Sequence, residues 1–105
     1  MDKTKANQKV YVIDIDGTIL HSPTSDYTQS TPIFDRISKI NKLYDEGHTI
    51  IYWTARGAQS GRDWGQYTEQ QLIDFGCKFT EVRMGKPHYD FWIDDKAIND
   101  KEYFK

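Results

Sequence analysis

The stretch Val10-Tyr11-Val12-Ile13-Asp14-Ile15-Asp16-Gly17-Thr18 constrains this chain more than any other. A β-branched run of this kind favours a buried strand, and it breaks into two alternate aspartates followed at once by glycine and threonine. In an open α/β sheet the carboxyl ends of the strands border the ligand crevice, so Asp14 and Asp16 stand where chemistry is usually done. Side chains two apart on a strand share a face, but a chain that leaves the strand at Gly17 can turn Asp16 beside Asp14 rather than behind it. Taken alone, the segment is equally consistent with a strand ending in an ordinary Asp-Gly turn.

The remaining segments alternate between strand and helix patterns. The first strand is expected from about Lys9 to Ile15, after a polar and loose Met1 to Gln8. Residues 19–30 are rich in Ser, Thr and Asp and read as an irregular surface loop. Thr31-Pro32 predicts an N-cap and a first-turn proline for a helix carrying Ile33, Phe34, Ile37, Ile40, Leu43 and Tyr44 at helical spacing until Gly47. A second strand, His48 to Trp53, ends in Thr54-Ala55-Arg56. After a glycine-rich loop from Gly57 to Gly65, Thr68-x-x-Gln71 has the form of a capping box and predicts a helix from Glu69 to Phe75, closed by Gly76. A start near Gly61 is the alternative. Third and fourth strands are expected over Lys78 to Arg83 and Tyr89 to Ile93, the latter running into Asp94-Asp95, with a helical turn or two between Ile98 and Phe104. Such alternation implies an α/β fold: a Rossmann-like parallel sheet with right-handed crossovers, sandwiched by helices.

At 105 residues the chain fits one domain with a modest core. Hydrophobic residues make up 37% and charged ones 29%, and no apolar run approaches the ~20 residues of a membrane span. Lys3, Lys5 and Lys9 precede no apolar segment with a cleavage site, which argues against a secretory signal. The one cysteine, Cys77, suits a reducing cytoplasm and reads as a small core residue. Net charge is −2 with scattered lysines and arginines, so a general nucleic-acid surface has no electrostatic support, although a local phosphate site does not need one. His21, His48 and His88 have no metal-ligand spacing.

Four expected strand ends thus carry polar residues suited to phosphate or metal chemistry: Asp14 and Asp16, Thr54, Lys86 within Met84-Gly85-Lys86-Pro87, and Asp94 with Asp95. A parallel sheet sets such ends along one edge. In order and content they resemble the four motifs of the haloacid dehalogenase-like hydrolase superfamily, over Val10 to Asp95. The run from Gly85 to Asp90 leading into Ile93-Asp94-Asp95 further resembles small members associated with capsular or other carbohydrate biosynthesis.

The resemblance implies a chemistry that elementary electrostatics supports. Carboxylates within ~5 Å of one another repel by about 3 kcal/mol per pair at an effective dielectric near 20, so a cluster of them calls for a cation. Hard oxygen ligands without a His or Cys pair select Mg²⁺. Asp14 would then be the nucleophile that forms an aspartyl phosphate, and Asp16 the acid and base that protonates the leaving oxygen and activates water. Thr54 would donate to a phosphoryl oxygen and Lys86 would supply positive charge. The implied metal set is Asp14, Asp16 (through its backbone carbonyl), Asp94 and Asp95. Backbone N–H groups around Ile15, Gly17 and Thr18 are expected to cradle phosphate, with Ala55 and Arg56 as further substrate contacts. His21, Trp53, Arg62, Trp64, Arg83 and His88 are rim candidates.

Neither residues 19–30 nor 57–66 can build a folded cap over the site. The expectation is a minimal capless core, open or covered by a neighbouring copy of the chain, that hydrolyses a small phosphorylated substrate such as a sugar phosphate. The rival from another class is a noncatalytic Mg²⁺- and phosphate-binding module. A phosphotransferase or a nucleic-acid-end phosphatase are variants on the same core.

Overall fold

The computed structural model describes residues 8–105. The expectation for Met1 to Gln8 therefore concerns residues that, Gln8 apart, lie outside the described ones. Strand β1 (Val10–Ile13) is followed by a small flap made of β2 (Leu20–His21), a single 3₁₀ turn (Tyr27–Gln29) and β3 (Thr31–Pro32). Helix α1 (Phe34–Asp45), β4 (Thr49–Trp53), α2 (Gly65–Asp74), β5 (Glu81–Arg83) and α3 (Asp100–Tyr103) complete the chain.

The sheet runs β1-β4-β5 with both pairings parallel. Register sets Tyr11 beside Ile50 and Ile13 beside Tyr52, which continues to Val82. These side chains share one face. Ile37, Ile40 and Leu43 of α1, Leu72 of α2, and the nearby Phe75 and Cys77 all pack with that face. Two right-handed crossovers that advance the sheet in one direction must lay both helices on the same side. The other face carries Val10 and Val12, both exposed, with Glu81 and Arg83. The expected sandwich is therefore half built among the described residues: helices cover one face of a three-stranded sheet. Fully buried Ile15, Ile19, Leu20, Ile40, Ile50 and Leu72 form the centre of the core, each stabilising the fold by about 1.5–3 kcal/mol through burial.

Three local expectations need correction. Thr31-Pro32 does not start α1; it pairs antiparallel with Leu20–His21, and Ile33 becomes an N-cap without a side-chain bond. An extended Thr-Pro on a short edge strand needs no N–H from the proline, so sheet pairing takes the residues that local rules assign to a cap. Likewise α2 begins at Gly65 rather than Glu69, and its capping-box pair is turned inward.

The third correction concerns Tyr89 to Ile93, which forms no strand. Phe91 and Ile93 are 86% and 96% exposed, while Trp92 stands edge-on to Trp53 at 6.0 Å and tilts against Tyr89 at 5.1 Å. Tertiary aromatic contacts prevail here over a short alternating pattern. No helix among the described residues is long and apolar enough to cross a membrane.

Candidate functional site

Beyond β1 the chain closes a tight turn. The N–H groups of Thr18, Ile19 and Leu20 all point to the Ile15 carbonyl, and Gly17 N–H donates to Leu20 O at 2.8 Å. Gly17 has φ +82°, which only glycine adopts without strain. Ile15 alternates inward and is fully buried, which leaves Asp14 and Asp16 on the cleft side. The backbone donors of Gly17 and Thr18 are thus spent within the turn, and neither residue nor Ile15 lines the cleft. The expected phosphate cradle at these positions is not formed as such.

Backbone bonding past the last sheet pair brings Thr54 and Lys86 together. Thr54 N–H donates to Arg83 O at 3.0 Å, and Lys86 N–H donates to Thr54 O at 3.1 Å. Lys86 then reaches back to Asp14, with Nζ 3.5 Å from Oδ1, while its ammonium also lies over the Tyr89 and Trp92 rings. Burial holds the Asp14 carboxyl above its ordinary range, against the opposing pull of the Lys86 charge. The Thr54 hydroxyl accepts from Arg56 N–H at 3.1 Å, so its own proton is left to donate.

Arg56 has the most constrained environment at the site. Its Nε and Nη2 donate to the two oxygens of Asp16 at 2.9 and 2.8 Å, its Nη1 donates to Thr68 Oγ1 and Gln71 Oε1, and its guanidinium stacks 4.3 Å from the Tyr27 ring centroid. The side chain is fully buried. Ser22 on the flap adds a hydroxyl to Asp16 and is itself bonded to Ser30. Arg56 lines the cleft floor, yet it acts first on Asp16. Thr68 and Gln71, read as a capping box, are three apart and so share a helix face, which here receives the arginine. That spacing was the one sequence signal for the network; nothing in the sequence pointed to Tyr27 or Ser22.

Beside this network lies an open cleft of about 530 Å³. Asp14, Asp16, Thr54, Ala55, Arg56 and Lys86 all border it, with Arg62, Trp64 and His88 further along its wall. Of the remaining rim candidates, Trp53 donates its indole N–H to Met84 O, Arg83 pairs with Glu81, and His21 is exposed on β2.

Asp94 and Asp95 stand apart from this assembly. Both are exposed and neither lines the cleft. Asp94 is held below the ordinary carboxylate range, chiefly by the Lys96 N–H bonded at 2.7 Å. Mg²⁺ demands several oxygen ligands in near-octahedral order, and no group of three or more His, Cys, Asp or Glu side chains comes together among the described residues. Asp14 is bound to Lys86, and Asp16 is engaged by Arg56 and Ser22. The side chains gathered here do not by themselves fit the expected metal set.

No protein-family model and no curated protein matches the chain. Among solved structures, that of a structural-genomics target from Vibrio cholerae is similar to it at a TM-score of 0.83 and 27% identity, over 92% of this chain and 88% of that one. The architecture described above is one that a crystallised protein also adopts.

Proposed function

We propose that the cleft is a phosphomonoesterase site on a haloacid dehalogenase-like core, acting on a small phosphorylated metabolite, with sugar phosphates the favoured class. The observation that carries this reading is the junction of Asp14, Lys86 and Thr54, in which a partly exposed carboxylate, an ammonium and a free hydroxyl proton face one cavity. Lys86 attracts the phosphoryl group and offsets its repulsion from Asp14. Attack by an Asp14 oxygen on phosphorus forms the aspartyl phosphate as the ester P–O bond breaks, and the leaving oxygen takes the proton of the Asp16 carboxyl, which the water of the next step returns. Water then cleaves the acyl phosphate, returning the Asp14 carboxylate and releasing phosphate. Thr54 donates to a phosphoryl oxygen throughout.

Asp16 is the acid and base of this scheme. A carboxylate has about four acceptor positions, of which Arg56 takes two and Ser22 one, so one remains for a leaving oxygen or a water. That free position is where Asp16 gives a proton to the leaving oxygen and takes one from the attacking water. Mg²⁺ belongs to the reading through the family resemblance and requires Asp94 or Asp95 to join Asp14; no step above is routed through it. A cytoplasmic enzyme with a neighbouring copy over the cleft completes the proposal, and light scattering measures the second part.

The decisive experiment is turnover of a generic aryl phosphate with Mg²⁺ present or chelated. Wild-type activity that is lost in Asp14→Asn supports the assignment; activity retained by that variant overturns it. The engagement of Asp16 by Arg56 favours one second reading, a noncatalytic phosphate-binding module, for which phosphate binds Lys86 and the Thr54 hydroxyl without any turnover.

A further inference from the structure

Two ion pairs, Lys86 with Asp14 and Arg56 with Asp16, neutralise most of the charge that lines the cleft. Arg62 lines the same cavity and forms no ion pair among the described residues. Asp26 is the acidic group that feels its charge, and that carboxylate is turned to Thr28, accepting from its hydroxyl at 2.6 Å and its N–H at 3.2 Å. Exposed and unpaired on the wall of the cleft, this guanidinium is available to an anion that enters it.

Its position is built rather than incidental. The Arg62 guanidinium lies 4.3 Å from the Trp64 ring centroid, and Trp64 is buried and held by ring edges of Tyr27 at 5.0 Å and Tyr67 at 5.5 Å. The loop behind it is equally defined. Gly61 N–H donates to Gly57 O at 2.8 Å, and a Cβ on Gly57 would meet the Arg62 carbonyl oxygen, so the backbone approaches too closely for any side chain. A preorganised guanidinium loses little freedom on binding and can take an oxyanion through two parallel hydrogen bonds. The cavity, at about 530 Å³, has the size of a small-molecule site and extends beyond what one phosphoryl group at Lys86 would fill.

We propose that Arg62 binds a second oxyanion group on the substrate, whose reacting phosphoryl lies at Asp14 and Lys86. The inference rests on the phosphoryl-transfer reading and names its substrate class: phosphomonoesters that carry a carboxylate or another phosphoryl at their far end. Ser25, Gln59 and Ser60, also on the wall, offer hydroxyl and amide groups to the polar body between.

The test compares ω-carboxyalkyl phosphates and alkyl bisphosphates of graded chain length with neutral alkyl phosphates of the same length. At the best-matched length kcat/KM should exceed that of the neutral twin by about tenfold or more, mainly through KM, as expected for a charge-assisted hydrogen bond. The carboxylate and bisphosphate series separate the two sources of the anion. Arg62→Ala should bring the ratio close to one, and Arg62→Lys should restore part of it. A wild-type ratio near one at every length, or a ratio that Arg62→Ala leaves unchanged, overturns the proposal. Absence of turnover for every ester would instead defeat the phosphatase reading. Calorimetric titration of the same pairs then decides the role of Arg62, because the anion preference and its loss in Arg62→Ala appear in binding alone.

Discussion

Arg56 and Asp16 are joined by two parallel hydrogen bonds, Nε to Oδ2 at 2.9 Å and Nη2 to Oδ1 at 2.8 Å, with the guanidinium wholly buried and the carboxylate a quarter exposed. The pair fastens the end of β4 to the turn after β1, and through Thr68 and Gln71 it also fastens α2. Burying a guanidinium is tolerable only because each of its nitrogens finds a partner.

Arg56→Ala therefore strands Asp16, Thr68 and Gln71 together. The expected loss is about 2–4 kcal/mol in denaturant unfolding, below the top of the range for buried pairs because Asp16 is partly solvated. Arg56→Lys keeps the charge but not the fork, and should lose a substantial part of the same stability. A loss below about 0.5 kcal/mol in Arg56→Ala, the level of an ordinary surface change, would show that the network carries no weight.

Asp14 should make stability depend on pH in a definite sense. Its carboxyl is raised in the folded protein from an ordinary value of 3.8, chiefly by burial. Below that value both states are protonated. As pH rises through the window above it, the unfolded chain ionises first, so stability falls until pH passes the raised native value. Asp14→Asn removes this titration. With divalent ions chelated, the stability of wild type minus that of Asp14→Asn should fall as pH rises from 3.8 through the raised native value, measured by urea unfolding. A difference that rises with pH would mean that pairing with Lys86 outweighs burial.

Tyr52 is fully buried on β4, edge-on to Phe79, and its hydroxyl has no hydrogen-bond partner among the described residues. An unpaired buried hydroxyl is a net cost, so Tyr52→Phe should be neutral or stabilising by about 1 kcal/mol. The thermal midpoint would then rise by up to about 4–8 °C. Destabilisation beyond about 1 kcal/mol would reveal a partner for that oxygen.

Two glycines with the same φ of +82° should respond differently to alanine. At Gly17 an added Cβ meets nothing within 4 Å, so the substitution carries only the left-handed backbone penalty, about 1–2 kcal/mol. At Gly57 the Cβ would also strike the Arg62 carbonyl. Gly57→Ala should cost at least about 1 kcal/mol more than Gly17→Ala, with loss of backbone amide protection around Gly61. Equal costs would show that the loop moves aside freely.

The nature of each element was legible from local chemistry wherever that chemistry was unopposed. The apolar run of β1, the spacing of Ile37 and Ile40 in α1, and the β-branched core of β4 each specify an element whose burial depends on a simple period. The parallel order follows from alternation alone. Asp14, Asp16, Thr54 and Lys86 could be expected near one another because strand ends in such a sheet converge, and all four do line one cleft.

Long-range partners decided the rest. Thr31-Pro32 has the composition of a helix start but pairs with β2, and Thr68 and Gln71 have the spacing of a cap but receive Arg56. Arg56 itself reads as a substrate contact until Asp16 is seen within 2.9 Å of it. Tyr89 to Ile93 alternates like a strand, yet a strand exists only through hydrogen bonds to a neighbour, and here aromatic packing on Trp53 takes precedence. Sequence determined which residue types could do chemistry and, for Asp14, Asp16, Thr54 and Lys86, which strand each one follows, because those depend on residue type and period. Tertiary structure alone decided which charges neutralise one another and which, like Arg62, are left facing the cleft, because pairing depends on distances across the fold that no local pattern encodes.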